Sequence, residues 1–237
     1  MLKGLLLHWF FPQTCAHCAE DLPREASGPL CGPCEKGLSG AEPPYCHRCA
    51  AKIGPSRSHC RSCGQSLHAC RVIRAACWYR GPAVSLVHGL KYRGRRDAAA
   101  YAAARMARVC AKPELRDFDA LIPVPLHPAR LAERGYNQAL LLARKLSTAT
   151  GRPVLELLER RRPTRPQWGL GRAARRENLA DAISVREGLA APERALLIDD
   201  VCTSSATLEA CARALQSAGA RRVSACVFAR RNRGELT

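Results

Sequence analysis

From about Arg74 onward, short apolar runs alternate with amphipathic stretches, which predicts strands joined by helices. Residues 75–79 read as a strand, and after Gly81-Pro82 a helical periodicity continues to Lys91. An alanine-rich helix follows near residues 97–110, then a second strand over 119–124 that Pro125 ends. Ala139, Leu142, Ala143 and Leu146 recur at helical spacing, so a helix is expected over about 137–150, stopped by Gly151. The last unit is the best defined: a strand over 194–198, a loop over 199–205, a helix striped by Leu208, Cys211, Ala212 and Leu215, a stop at Gly219, and a strand over 222–229. Repeated strand-helix units of this kind belong to an α/β fold with a doubly wound, mostly parallel sheet.

Upstream of residue 74 that rhythm is missing and cysteine concentrates: ten of the fourteen lie between Cys15 and Cys77, nine of them before residue 74. Two domains are therefore expected, a cysteine-rich region over 1–73 and the α/β domain over 74–237. A domain of about 150 residues buries roughly 70% of its unfolded surface, so the sizeable core belongs to the second. The first eleven residues carry an apolar run (Leu5, Leu6, Leu7, Trp9, Phe10, Phe11) without a small-residue cleavage site, and a short capping helix is expected. No stretch reaches the roughly 18 to 20 apolar residues of a membrane span, so a cytoplasmic protein without membrane insertion is expected. In a reducing compartment clustered thiols point to metal rather than disulfides.

Four C-x-x-C pairs occur in order, Cys15/Cys18, Cys31/Cys34, Cys46/Cys49 and Cys60/Cys63, separated by twelve, eleven and ten residues. Two such pairs complete a tetrahedral sulfur shell with no open position, so two structural Zn2+ in tandem zinc ribbons are expected. Pairing neighbouring pairs closes shorter loops, with cross-bracing as the alternative. The cysteine runs of iron-sulfur proteins are absent, and a redox C-x-x-C would not come in fours. Glycine, the usual residue for the positive-φ turn around such a metal, follows only the fourth pair (Gly64), whereas Ala19, Glu35 and Ala50 follow the others. His17, His47 and His59 lie beside the thiols as substitute ligands or as outer neighbours. Cys70 and Cys77 read as core or linker thiols.

The formal charge is +18, carried mostly by arginine, with a dense run from Arg160 to Arg176. Arginine suits bidentate phosphate contacts, so the choice lies between a polyanionic partner and a solvated basic surface. Gly169-Leu170-Gly171 has no strand before it and lacks the third glycine of a dinucleotide fingerprint, and no GxxxxGK[ST] loop is present. His8, His68 and His88 are isolated, and no Ser/His/Asp or HExxH arrangement occurs.

The loop between the last strand and helix reads Asp-Asp-Val-Cys-Thr-Ser-Ser-Ala-Thr from Asp199. Hydroxyls surround a helix start, where free N–H groups accept phosphate, and two carboxylates precede them. LLIDDVCTSSATL resembles the 5-phosphoribosyl-1-pyrophosphate (PRPP) motif of type I phosphoribosyltransferases. IPVPLHPARLAERGYNQALLLAR (122–144) and RRPTRPQWGLGRAARRENLADAI (161–183), with LKYRG at 90–94, resemble the ComF/GntX family, which also carries an N-terminal zinc region.

The resemblance implies Asp199 and Asp200 as the catalytic pair holding the ribose hydroxyls with Mg2+ nearby. Val201, Thr203, Ser204, Ser205, Ala206 and Thr207 would complete the PRPP site, with the 5-phosphate on 203–207. Lys91, His127, Arg130 and Arg134 are candidate pyrophosphate-side contacts, and the stretch 160–176 a hood. One departure stands out: the family loop usually has glycine where this chain has Ser205. On the ComF side the resemblance implies natural competence, with single-stranded DNA and competence or recombination proteins as partners, and on the GntX side a link to carbon-source use. Two functions are implied, a PRPP-binding protein of DNA uptake or an active phosphoribosyltransferase acting on a nitrogen acceptor.

Overall fold

The computed structural model describes residues 13–64, 68–92, 94–95, 97–160 and 182–232. The expected N-terminal capping helix and the arginine-rich stretch 161–176 lie outside them. In chain order the elements are α1 (Gly32–Lys36), α2 (Arg61–Gly64), β1 (Ile73–Trp78), α3 (Pro82–Tyr92), α4 (Asp97–Cys110), β2 (Ala120–Pro123), α5 (Pro128–Arg134), α6 (Gln138–Thr150), β3 (Leu158–Arg160), β4 (Ile183–Val185), β5 (Arg194–Cys202), α7 (Ala206–Ser217) and β6 (Arg222–Arg230).

The central sheet is parallel, in the order β1-β6-β5-β2. Parallel strands covered on both faces are apolar throughout, and β6 is buried from Val223 to Arg230. Its residues divide by alternation. Val223, Ala225 and Val227 join one core with Ala195 and Leu197 of β5 and with Leu208, Cys211 and Leu215 of α7. Cys226 and Phe228 join the other with Leu196, Ile198 and the helices α3, α4 and α6. The alanines of α4 (Ala98, Ala99, Ala102, Ala103) are nearly inaccessible, and their small side chains let that helix sit close on the sheet.

Local signals set several boundaries. Asn137 caps α6 by accepting from the Ala139 N–H at 2.9 Å, and Gly151 ends it at φ 68°. Other boundaries differ from expectation. Strand β5 does not stop at Ile198 but runs to Cys202, because the apolar end of β6 continues the ladder: Asp199 pairs with Val227, Val201 with Ala229 and Cys202 with Arg230. The two aspartates therefore stand on the strand rather than in the loop. β1 starts at Ile73, where Ala225 offers a partner. The antiparallel pair β3–β4, and a parallel bridge of Val154 to Leu121 at the sheet edge, have no counterpart in the sequence pattern.

The cysteine-rich region is not a detached appendage. Cys15, Leu22, Leu30 and Leu38 share the core of α3 and α4, where the Tyr101 hydroxyl also donates to Glu35 at 2.9 Å. Cys46, Cys49 and Cys63 share the opposite core, with Ile73 and α7. Buried Arg74 ties that side down, donating to the His47 carbonyl at 2.8 Å and to Glu114 at 2.7 Å, with its guanidinium 5.2 Å from the Tyr45 ring centre. Cys70 and Cys77 are fully buried core thiols, and burial pushes Cys77 up to about 12. No helix among the described residues is long and apolar enough to cross a membrane.

Because Phe228 is wholly enclosed between β6 and the α4 side, Phe228→Ala should lower unfolding free energy by about 3–5 kcal/mol in denaturant titration. A loss below about 1 kcal/mol would show that this core is not packed as described.

Candidate functional site

The eight paired thiols form two clusters, Cys15/Cys18/Cys31/Cys34 and Cys46/Cys49/Cys60/Cys63, the sulfurs of each lying within 4.8 Å of one another. Neighbouring pairs combine, so cross-bracing does not occur. Around a tetrahedral zinc with bonds of about 2.3 Å, sulfurs stand roughly 3.8 Å apart. Cys18 and Cys31 are 3.6 Å apart, Cys49 and Cys60 3.7 Å. The donor set is thus a closed structural Zn2+ site, twice over.

Each cluster has the same construction. A knuckle carries the first pair, flanked by an antiparallel bridge (Thr14 with Asp21, Tyr45 with Lys52), and a short helix carries the second. Ala19 (φ 64°) and Ala50 (φ 52°) occupy the left-handed position after the knuckle pair, where glycine is the unstrained choice. Glu35 and Gly64 lie in or at the end of helices and face no such demand. None of the three neighbouring histidines joins a cluster: His17 contacts Ser85 at 2.9 Å, and His59 contacts Ser58 at 3.0 Å and stacks edge-on with His47.

The second centre lies at the carboxyl end of β5, where open α/β sheets bind ligands. Asp200 is buried and its Oδ2 meets the Lys91 ammonium of α3 at 2.8 Å. Burial pulls the Lys91 pKa down, but Asp200, and behind it Asp199, more than offset this and hold it above the ordinary value. Asp199 lies within electrostatic reach of Arg160 and Cys211 as well as of Lys91. Burial and the adjacent Asp200 carboxylate raise its pKa well above the carboxylate range, against Lys91. Burial depresses the Arg160 guanidinium, Arg130 adds to that effect, and Asp199 opposes it.

Beyond Cys202 the chain turns through Thr203 and Ser204 into α7. Ser205, at its N-cap, adopts φ 63°, a left-handed conformation that glycine would take without strain. Its hydroxyl is 3.4 Å from Cys202 Sγ and does not cap the helix. Ser204 Oγ meets the Ala206 N–H at 3.5 Å.

Of the pyrophosphate-side candidates, Lys91 stands on Asp200, and Arg130 lies within electrostatic reach of Arg160. Arg134 lies 5.1 Å over the Tyr92 ring, and His127 caps α5 by accepting from the Ala129 N–H at 3.2 Å. Two groups at the loop go beyond the sequence expectation. Glu209 accepts from the Ala69 and Cys70 N–H groups at 2.8 and 3.3 Å and contacts His68 at 3.1 Å. Arg230 reaches from the end of β6 to the loop carbonyls. The arginine that ends the buried run from Val223 was the available signal for it. A cavity of about 590 Å³ opens between the second cysteine cluster and the start of α7, with Arg48, Lys52, Arg61, Ser205, Arg213 and Arg230 in its wall.

Comparison with known proteins matches residues 6–64 to a double zinc ribbon domain and residues 152–237 to a phosphoribosyl transferase domain. The chain is 31% identical over 230 residues to "Competence protein F" of Haemophilus influenzae, covering 93% of this chain and 98% of that protein. It is 31% identical over 227 residues to "DNA utilization protein YhgH" of Salmonella typhimurium, covering 91% and 88%. Among solved structures, a glutamine PRPP amidotransferase from B. subtilis overlays with a TM-score of 0.39 at 18% identity, over 59% of this chain and 30% of that chain.

Two closed four-sulfur sites should bind two zinc ions per chain, each with an apparent free energy on the order of 10–16 kcal/mol. Elemental analysis of the purified protein checks this. One zinc, none, or stoichiometric iron would contradict the paired arrangement.

Proposed function

The chain belongs to the ComF/GntX family, and from that premise we propose that it binds PRPP at the end of β5 and acts in the cytoplasm in natural competence and DNA uptake. The observation that carries this reading is the paired aspartates on β5 leading directly into the hydroxyl-rich start of α7. The free N–H groups at that helix start, with Thr203, Ser204, Ser205, Ala206 and Thr207, suit the 5-phosphate. Val201 continues the strand that aims them.

Asp199 and Asp200 suit the ribose hydroxyls, since consecutive strand residues face opposite ways and one can hold the sugar while the other supports it. Hard carboxylate oxygens also fit Mg2+, bound partly through water. Mg2+ arriving with PRPP supplies neutralisation of the diphosphate charge. Lys91, already placed by Asp200, Arg130 and Arg134 are the cations on the pyrophosphate side, and His127 fixes the helix that carries the last two.

An active transferase is the second reading, favoured by Arg160 lying within electrostatic reach of both Asp199 and Arg130. Cations there would stabilise a departing diphosphate while a nitrogen nucleophile attacks C1 of the ribose. The basic cavity beside the loop, with the +18 charge, supports single-stranded DNA as a further partner, handed on to competence or recombination proteins.

Asp200→Ala should abolish PRPP binding in calorimetric titration with Mg2+ while the unfolding transition stays cooperative, and retained affinity would remove the aspartate pair from the site. Ser205→Gly takes no donor from the loop, because that hydroxyl is turned to Cys202. It relieves a left-handed serine, so binding should tighten by about 1 kcal/mol. Weakened binding would make the Ser205 hydroxyl a ligand contact. For DNA, mobility shifts at several salt concentrations should show a slope of about 0.7 per phosphate neutralised. Arg48→Ala with Arg61→Ala should flatten that slope, and an unchanged slope would move the strand elsewhere.

A further inference from the structure

Arg230 is the least exposed charged side chain among the described residues, 2% accessible. Its Nη1 donates to the Cys202 carbonyl at 3.0 Å and the Thr203 carbonyl at 3.1 Å, and lies 2.7 Å from Cys202 Sγ. Its Nη2 lies 3.8 Å from Cys49 Sγ, a member of the second four-sulfur cluster. One guanidinium therefore touches both the loop that enters α7 and a zinc-site thiol. The backbone reinforces the link, since the Arg231 N–H also donates to the Cys202 carbonyl at 3.0 Å. On the other flank, Glu209 in the first turn of α7 holds the N–H groups of Ala69 and Cys70, the chain leaving that same cluster.

The physical consequence follows from burial. An arginine keeps its charge at any working pH, and a buried one whose partners leave it becomes an uncompensated charge. Its planar fork also fixes direction, so the loop carbonyls and the cluster cannot move independently without losing contacts on one side. A zinc site of four thiolates carries net negative charge and holds Cys49 in place, which gives the inner end of the fork a fixed anionic partner.

We propose that Arg230 is a positioning residue that couples the second zinc site to the phosphate loop, so that closure of the Cys46/Cys49/Cys60/Cys63 site sets the backbone at Cys202 and Thr203 for anion binding. This rests on the reading of 203–207 as the PRPP phosphate loop. Linkage makes the coupling reciprocal: PRPP bound at the loop must tighten zinc at that site by the factor by which zinc tightens PRPP.

The test uses the full, zinc-loaded chain as wild type, Arg230→Met and Arg230→Lys. In wild type, saturating PRPP with Mg2+ should tighten one of the two zinc ions by about tenfold in equilibrium competition with a chromophoric chelator, the usual scale of such couplings. In Arg230→Met both ions should be retained, but with affinities indifferent to PRPP. Amide hydrogen exchange over 203–207 should run about tenfold faster than in wild type, while β5 and β6 stay protected as the folding control. Arg230→Lys, which keeps the charge but not the fork, should fall between. If Arg230→Met does not fold, the lysine variant decides alone.

Wild-type zinc affinity unaffected by bound PRPP, or loop exchange unchanged in both variants, would overturn the coupling. If wild type binds no PRPP, the functional reading fails separately. The exchange measurement still judges the link: faster loop exchange in the variants upholds it, unchanged exchange rejects it.

Discussion

The parallel ladder between β5 and β6 is the constraint on which the rest of the molecule depends. It runs past the point where the apolar pattern of β5 stops, through Asp199 and as far as Cys202 opposite Arg230. That extension puts two carboxylates at the sheet end, and on the next strand it sets Arg230 opposite Cys202, where the loop begins. Without it the aspartates would sit in a loop, and Lys91 would have no fixed anion to meet. Electrostatics at the site is thus a product of strand register, and register is held by the buried faces of β6.

The zinc ribbons extend that scaffold rather than decorate it. Each shares a core with one face of the sheet, the first through Leu22, Leu30 and Leu38 against α3 and α4, the second through Cys46, Cys49 and Cys63 against α7. A region of some fifty residues has little apolar volume of its own, and metal closure together with docking replaces the core it lacks. Left-handed alanines at Ala19 and Ala50 are tolerated because the surrounding thiols leave the knuckles no alternative geometry. Ser205 takes the same left-handed conformation at the start of α7.

Much of this was legible in the sequence. The four cysteine pairs gave the clusters, since two thiols three residues apart can reach one ion. Helical spacing and the caps Asn137 and Gly151 gave α6 closely, and the β-loop-α-β unit gave the location of the candidate site. Three things were not legible. The end of β5 lies beyond the expected one because the sequence changes from apolar to acidic there, while the ladder depends on what β6 offers. The roles of Arg230, Glu209 and Arg74 arise from contacts across 27 to 181 positions of chain, which no local pattern carries. For the cysteines, loop length favoured neighbouring pairs without excluding cross-bracing, and only the tertiary approach of the sulfurs decides it.

If the β5–α7 junction holds the phosphate of a phosphorylated sugar, amide chemical shifts of the zinc-loaded protein should report it. Titration of PRPP with Mg2+ is expected to give saturable shifts concentrated on residues 199–207, with inorganic phosphate moving only the 203–207 part. Shifts absent from this junction at millimolar PRPP, or spread evenly over the basic surface, would contradict it.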